Sequence, residues 1–201
     1  MSPGKHGAAD RRPSIFTLVE LLITIAIIAI LASLLFPALR LAREKGYTIV
    51  CKSNLKQTGC AFMMYDSDYN AFPRMDTGVS FLPPYWDDTL NLCGYVARKT
   101  TYLANGGGCP TQRGLYPTHL TCYGMNFYLG SGTFDVLKHR KTPSQTMLVM
   151  DAVIYYVTPS NYIEWCHQGR SNTLFCDGHV VDAGRPDTLG GSNTPFWAGN
   201  Y

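Results

Sequence analysis

The run from Phe16 to Pro37 constrains this chain more than any other feature. It is an apolar stretch of membrane length with a single carboxylate, Glu20, near its start. From Leu21 to Leu39 no side chain carries a charge, and as a helix that stretch rises ~28 Å, about one hydrocarbon core. Glu20 stands one turn inside the segment, where a carboxylate costs roughly 2.5–3.5 kcal/mol. A charge kept at that cost implies a partner, so Glu20 reads as functional; a plain single-pass anchor has no use for it. A secretory signal has an apolar core of about 7–15 residues that ends at a small-residue site. This core is longer, carries an acid and continues into more helical sequence. The leader Met1–Ile15 places Lys5, Arg11 and Arg12 against Asp10.

Phe16-Thr-Leu-Val-Glu20-Leu-Leu, after a short basic leader and before a helix interrupted at Pro37, resembles the prepilin signature of type IV pilins and type II secretion pseudopilins. The resemblance implies cleavage between Ile15 and Phe16 by a membrane prepilin peptidase, which also methylates the new amine of Phe16. It implies that Glu20 then pairs with the amine of a neighbouring subunit during assembly. The physics of that role is consistent: a buried acid and a buried amine, each costly alone, meet only at the correct axial register. The family usually has glycine before the cut; this chain has Ile15. Lys and Arg number three before the span and five after it, up to Lys56. Charge counting would therefore leave the long C-terminal region in the cytoplasm, whereas the resemblance places it outside. Long domains translocate largely regardless of charge, so the second orientation is expected.

Past the bilayer the helix is expected to continue. Tyr47, Cys51, Leu55, Thr58, Phe62, Tyr65 and Tyr69 recur at intervals of three and four, a stripe on one face. Lys45, Lys52, Lys56 and Gln57 lie mostly opposite. Pro37 cannot bond back to the carbonyl of Ser33, so a kink or local weakness is expected there. Asn70-Ala-Phe-Pro73 should end the helix. From Ala71 onward nine Lys/Arg balance nine Asp/Glu; the head shows no basic stripe, and nucleic acid is not an expected partner. Tyr85 to Leu92 reads as a short helix with Trp86 and Leu90 inward, and Asn105 to Pro110 as a loop. Tyr123 to Tyr128 reads as a strand entering a turn, and Gln145–Asp151 and Val153–Val157 as strands.

Asp177-Gly178, between two strand-like runs, signals a two-residue type I′ hairpin with positive φ at both central positions. His167 precedes Asp177 by ten residues, and this His-x9-Asp-Gly spacing resembles the element that ends many prepilin-like proteins of one large bacterial group. Asn172, the stretch Phe175 to Val180, the run from Cys51 to Gln57 and Cys109-Pro110 fit that resemblance too. Two readings of His167, Asp177 and His179 are open. In one, His167 bonds the hairpin backbone and Asp177 is the residue its turn prefers; in the other, the group ligates a metal. No hydrolase, zinc-protease or phosphate-loop pattern is present, and no CxxC pair. Seven cysteines in an exported head suggest disulfides with one thiol left over. Cys51–Cys109 is the favoured pairing, with buried reduced thiols as the alternative.

These readings give an α+β, pilin-like chain: leader 1–15; a long helix 16–70, membrane-spanning over 16–39; and a head 71–201 of mainly antiparallel sheet with a C-terminal hairpin at 171–182. The expected function is structural, a pilin or pseudopilin assembling into a type IV pilus or type II secretion-like filament. The expected partners are like or related pilin subunits, the prepilin peptidase/methyltransferase and the inner membrane. The head is expected outside the cytoplasm, without a cofactor or catalytic residue. The alternative is a membrane-tethered binding or metal-dependent enzymatic domain using a prepilin-like export helix.

Overall fold

The computed structural model describes residues 16–75, 85–96, 109–111, 122–130, 142–159, 161–184 and 196–197. The leader, Ile15 on one side of the expected cut, and most of the loop expected at 105–110 lie outside the described residues. Two compact units are present, Met1–Ala42 and Arg43–Tyr201.

Helix α1 runs Leu18–Tyr69 and passes through Pro37. It ends where Asn70 takes φ 52 while its N–H bonds the Asp66 carbonyl at 2.8 Å. Asn is among the few residues that tolerate this left-handed conformation, which closes helices. Within the second unit, Cys51, Leu55, Gly59, Ala61 and Phe62 are buried. The expected stripe is therefore centred slightly differently: Thr58 and Tyr65 are half-buried, Tyr69 is exposed, and Gly59 is on the inner face. A Cβ at Gly59 would stand 2.9 Å from Leu174 Cδ1, so a larger residue here would require the tip of that buried leucine to shift.

The head's described elements are α2 (Trp86–Leu92), β1 (Tyr123–Asn126), a single helical turn α3 (Phe127–Gly130), β2 (Met147–Asp151), β3 (Tyr156–Val157), β4 (Ser171–Phe175) and β5 (Val180–Ala183). The sheet order is β3-β1-β2-β4-β5. The β1–β2, β2–β4 and β4–β5 pairings are antiparallel, and β1–β3 is parallel, so the sheet is mixed. The strand expected over Val153–Val157 shrinks to two residues.

Strands β2 and β4, paired side by side within the sheet, are buried at every position, as strands covered on both faces are. One apolar cluster joins Leu55 and Phe62 of α1 to Trp86 and Leu90 of α2 and to Tyr123, Met125, Leu148 and Leu174 of the sheet. Each such side chain contributes about 1.5–3 kcal/mol by leaving water. Trp86 and Leu90 do point inward, and the indole N–H of Trp86 finds the Tyr155 carbonyl at 2.9 Å. A second cluster gathers Met147, Met150, Ala152 and Val157 around Trp197, with Asn126 Nδ2 donating to the carbonyls of Met147 and Trp197 at 2.9 and 2.5 Å.

Candidate functional site

The start of α1 is built around Thr17 and Glu20. The Thr17 N–H donates to Glu20 Oε2 at 2.9 Å, and the Glu20 N–H donates to Thr17 Oγ1 at 3.2 Å. The Thr17 hydroxyl also donates to Glu20 Oε2 at 2.7 Å. This is a reciprocal capping box, in which two amide donors that the first turn leaves unpaired are satisfied by side chains. Glu20 therefore has a local use even in a plain anchor, contrary to what its burial cost alone suggests. The Thr-x-x-Glu spacing is the signal for it in the sequence. From Phe16 to Leu41 the large apolar side chains are more than half exposed in the described structure, and this part of α1 is long and apolar enough to cross a bilayer.

The second constellation is in the head. Cys51 of α1, Cys109, Asp151 at the end of β2 and His167 before β4 are all buried, and their ligand-type atoms lie within 4.8 Å of one another. Cys109 Sγ is 3.3 Å from His167 Nε2 and 3.6 Å from Cys166 Sγ. His167 Nε2 is 3.5 Å from Asp151 Oδ2. The other ring nitrogen, Nδ1, is 3.1 Å from Thr48 Oγ1, whose own hydroxyl donates to the Glu44 carbonyl. Thr48 is thereby left as an acceptor, and Nδ1 carries the proton. Asp151 Oδ2 accepts the Asn172 N–H at 2.6 Å, while its Oδ1 is buried with no hydrogen-bond partner among the described residues.

The local electrostatics centre on Cys109. Hydrogen bonds from Cys166 and then Cys51 hold its thiol below the ordinary range, with burial opposing and His167 assisting. Cys51 and Cys166 are pushed up, first by those same hydrogen bonds to Cys109 and then by burial. Burial, followed by the charge on Cys109, raises Asp151. For His167 burial acts downward, but the hydrogen bond to Cys109 and the charges of Asp151 and Cys109 outweigh it and leave the imidazole above its usual value. Within the cluster Cys109 is thus the sulfur shifted toward the thiolate, and Cys51, Cys166 and Asp151 are shifted toward their protonated forms.

The structure brings Cys51 and Cys109 together, as the favoured pairing required, but as free thiols. It separates the roles within the His-x9-Asp-Gly element. The ring of His167 meets Thr48, Cys109 and Asp151, and its backbone exchanges two hydrogen bonds with Arg170 at 3.0–3.1 Å. Its described partners do not include the Asp177-Gly178 backbone, so the expected bond to the hairpin is replaced by bonds to the cluster. Asp177 Oδ1 accepts from the His179 N–H at 3.1 Å and meets His179 Nδ1 at 2.5 Å. Burial acts upward on Asp177, but these His179 contacts outweigh it and lower its pKa. The turn is also not type I′. Gly178 N–H bonds the Phe175 carbonyl and Phe175 N–H bonds the His179 carbonyl, and Gly178 is at φ +86 while Asp177 is not in the positive-φ region. That pattern is a three-residue hairpin loop with glycine in the left-handed bulge position.

The type II secretion system core protein G of Pseudomonas aeruginosa is similar to this chain, 32% identical over 72 residues that make up 36% of this chain and 51% of that protein. The chain spans about half the length of the curated relative it matches. No family model matches the chain, and no solved structure does.

Proposed function

We propose that the chain is a structural subunit, a pilin or pseudopilin, that assembles through α1 into a type IV pilus or type II secretion-like filament of the cell envelope. The observation that carries this reading is the division of labour along α1. Its first part is capped, apolar and exposed, while residues from Cys51 to Phe62 supply one face of the head's core. Such a helix is complete only when lipid, and then neighbouring helices, cover its first part. The similarity to a type II secretion core protein and the α+β plan support the same reading.

In this account the leader is removed between Ile15 and Phe16, and Phe16 becomes a methylated amino terminus. Glu20 then exchanges its local bonds to Thr17 for the amine of a neighbour, which brings a carboxylate and an ammonium together in a medium where neither is stable alone. The head lies outside the cytoplasm and has no catalytic role. The alternative of a metal-dependent enzyme gains nothing from the buried cluster, since all four of its residues are closed to solvent.

Intact-mass analysis of the protein extracted from its own membranes tests the processing step. The expected mass lacks Met1–Ile15 and carries one added methyl group. A protein that retains Met1 overturns processing and leaves an anchored head.

A further inference from the structure

The cluster of Cys51, Cys109, Asp151 and His167 has no part in the assembly proposed above, and its chemistry is specific. In a tetrahedral zinc site the bonds of roughly 2.0–2.3 Å place neighbouring ligand atoms about 3.3–3.8 Å apart. Cys109 Sγ to His167 Nε2 at 3.3 Å and His167 Nε2 to Asp151 Oδ2 at 3.5 Å fall on that spacing. Cys51 Sγ closes the group, with all four ligand-type atoms within 4.8 Å of one another.

Two features around the cluster match what a metal-binding histidine and carboxylate require. A ligating imidazole is oriented by a hydrogen bond from its other nitrogen, and here Nδ1 faces Thr48 Oγ1 while Nε2 faces the sulfur of Cys109 and the carboxylate of Asp151. In the buried Asp151, Oδ2 accepts the Asn172 N–H and also faces His167 Nε2, while Oδ1 has no hydrogen-bond partner among the described residues. A buried, unsatisfied carboxylate oxygen is expensive unless something cationic meets it. Thiolate and imidazole donors select zinc over calcium or magnesium, which prefer all-oxygen shells.

We infer that Cys51 Sγ, Cys109 Sγ, His167 Nε2 and a carboxylate oxygen of Asp151 form a closed structural Zn2+ site. Cys166, 3.6 Å from Cys109, stands outside the four and donates its S–H to the metal-bound Cys109 thiolate. The ion ties together four stretches that are far apart in sequence: the helix stalk at Cys51, the segment at Cys109, the end of β2 and the turn before β4. It does in the reduced head what a Cys51–Cys109 disulfide would do in an oxidised one, and the two states exclude each other. The site is independent of filament assembly and stands or fails without it.

The test uses the full-length chain extracted in detergent and purified without chelator. Elemental analysis is expected to find about one Zn2+ per chain. Replacement by Co2+ should give the absorption of a tetrahedral site with thiolate-to-metal charge transfer, and a chelator should lower the melting temperature. Cys109→Ser and His167→Ala should lose the ion, while Cys60→Ser, at an exposed cysteine of α1, should keep it. Cys166→Ser should retain the ion with an affinity about 10–100-fold lower. Should the cluster variants fail to fold, the metal content and Co2+ spectrum of the unaltered chain still decide. Metal-free protein whose reduced thiols give no Co2+ spectrum overturns the site, and so does peptide mapping that finds a Cys51–Cys109 disulfide.

Discussion

Leu31 and Leu55 are on the same helix, yet Leu31 is 56% exposed and Leu55 is fully buried. The first belongs to a stretch whose apolar surface has no cover among the described residues; the second is inside a core that the head supplies for itself. At about 25 cal/mol per Å2 of apolar surface, the exposed stretch represents a large driving force for burial, which in the proposed function a bilayer and then neighbouring helices satisfy. The head's burial is intramolecular and is present in a single chain. The difference between these regions is the difference between conditional and intrinsic stability, and it says which substitutions should be felt by an isolated subunit.

The sharpest contrast is expected between Trp86→Ala and Leu31→Ala in the detergent-extracted full-length chain. Trp86 is 1% exposed and touches Phe62, with ring centroids 5.3 Å apart. Its truncation should destabilise the head by about 3–5 kcal/mol, read from denaturant or thermal unfolding. Leu31→Ala should leave head unfolding unchanged; an equal loss would mean that the exposed stretch is part of the same cooperative core.

A charged group sharpens the comparison from within the head. Burial, with help from the neighbouring Asp88, raises Asp87 to about 6, against roughly 3.9 in an unfolded chain. The folded state therefore holds that proton more tightly than the unfolded state does. Its contribution to stability is complete below the unfolded pKa and is lost as pH rises through the folded value. Between pH 4 and 7 the wild type should lose about 2 kcal/mol from this group. Asp87→Asn should remove that part of the slope and be the more stable protein at pH 7. Parallel unfolding profiles for the two proteins across this range would refute the assignment.

A smaller effect is expected at the hairpin. Gly178→Val places a β-branched residue at φ +86, a conformation that costs roughly 1–2 kcal/mol. No described atom beyond the adjoining residues lies within 4 Å of where a Cβ would stand, so the loss should come from backbone strain rather than collision. Gly178→Asn should therefore recover part of it, which thermal unfolding of the two variants would show.

The elements legible in the sequence are those set by local rules. The long helix follows from its periodicity, its end from Asn70, and α2 from the inward pair Trp86 and Leu90. The hairpin is legible too, but its loop length is not: two residues and three residues both accommodate Asp177-Gly178, and the pairing of Phe175 with His179 selects three. The capping box at Thr17 is written in Thr-x-x-Glu, although the burial cost of Glu20 points first to a distant partner. The buried cluster is only half legible. Cys51 with Cys109, and His167, can be singled out by residue type. Asp151 cannot, because it ends an ordinary apolar strand and only the packing of β2 against β4 carries it to the sulfurs. Thr48, one turn before Cys51, orients His167 through a contact with no local signature.

The central claim, that α1 assembles through the charge of Glu20, is tested most directly by comparing Glu20→Gln with Thr17→Ala in cells that carry the assembly machinery. Glutamine keeps the reciprocal cap but removes the charge, whereas Thr17→Ala removes the cap at about 1 kcal/mol and keeps the charge. Sheared filaments and membranes would be quantified for each variant. The account predicts that Glu20→Gln inserts normally but enters filaments at least roughly tenfold less than wild type, since leaving a buried amine unpaired costs several kcal/mol. Thr17→Ala should enter close to wild-type levels. Wild-type incorporation of Glu20→Gln, or an equal loss for both variants, would contradict it.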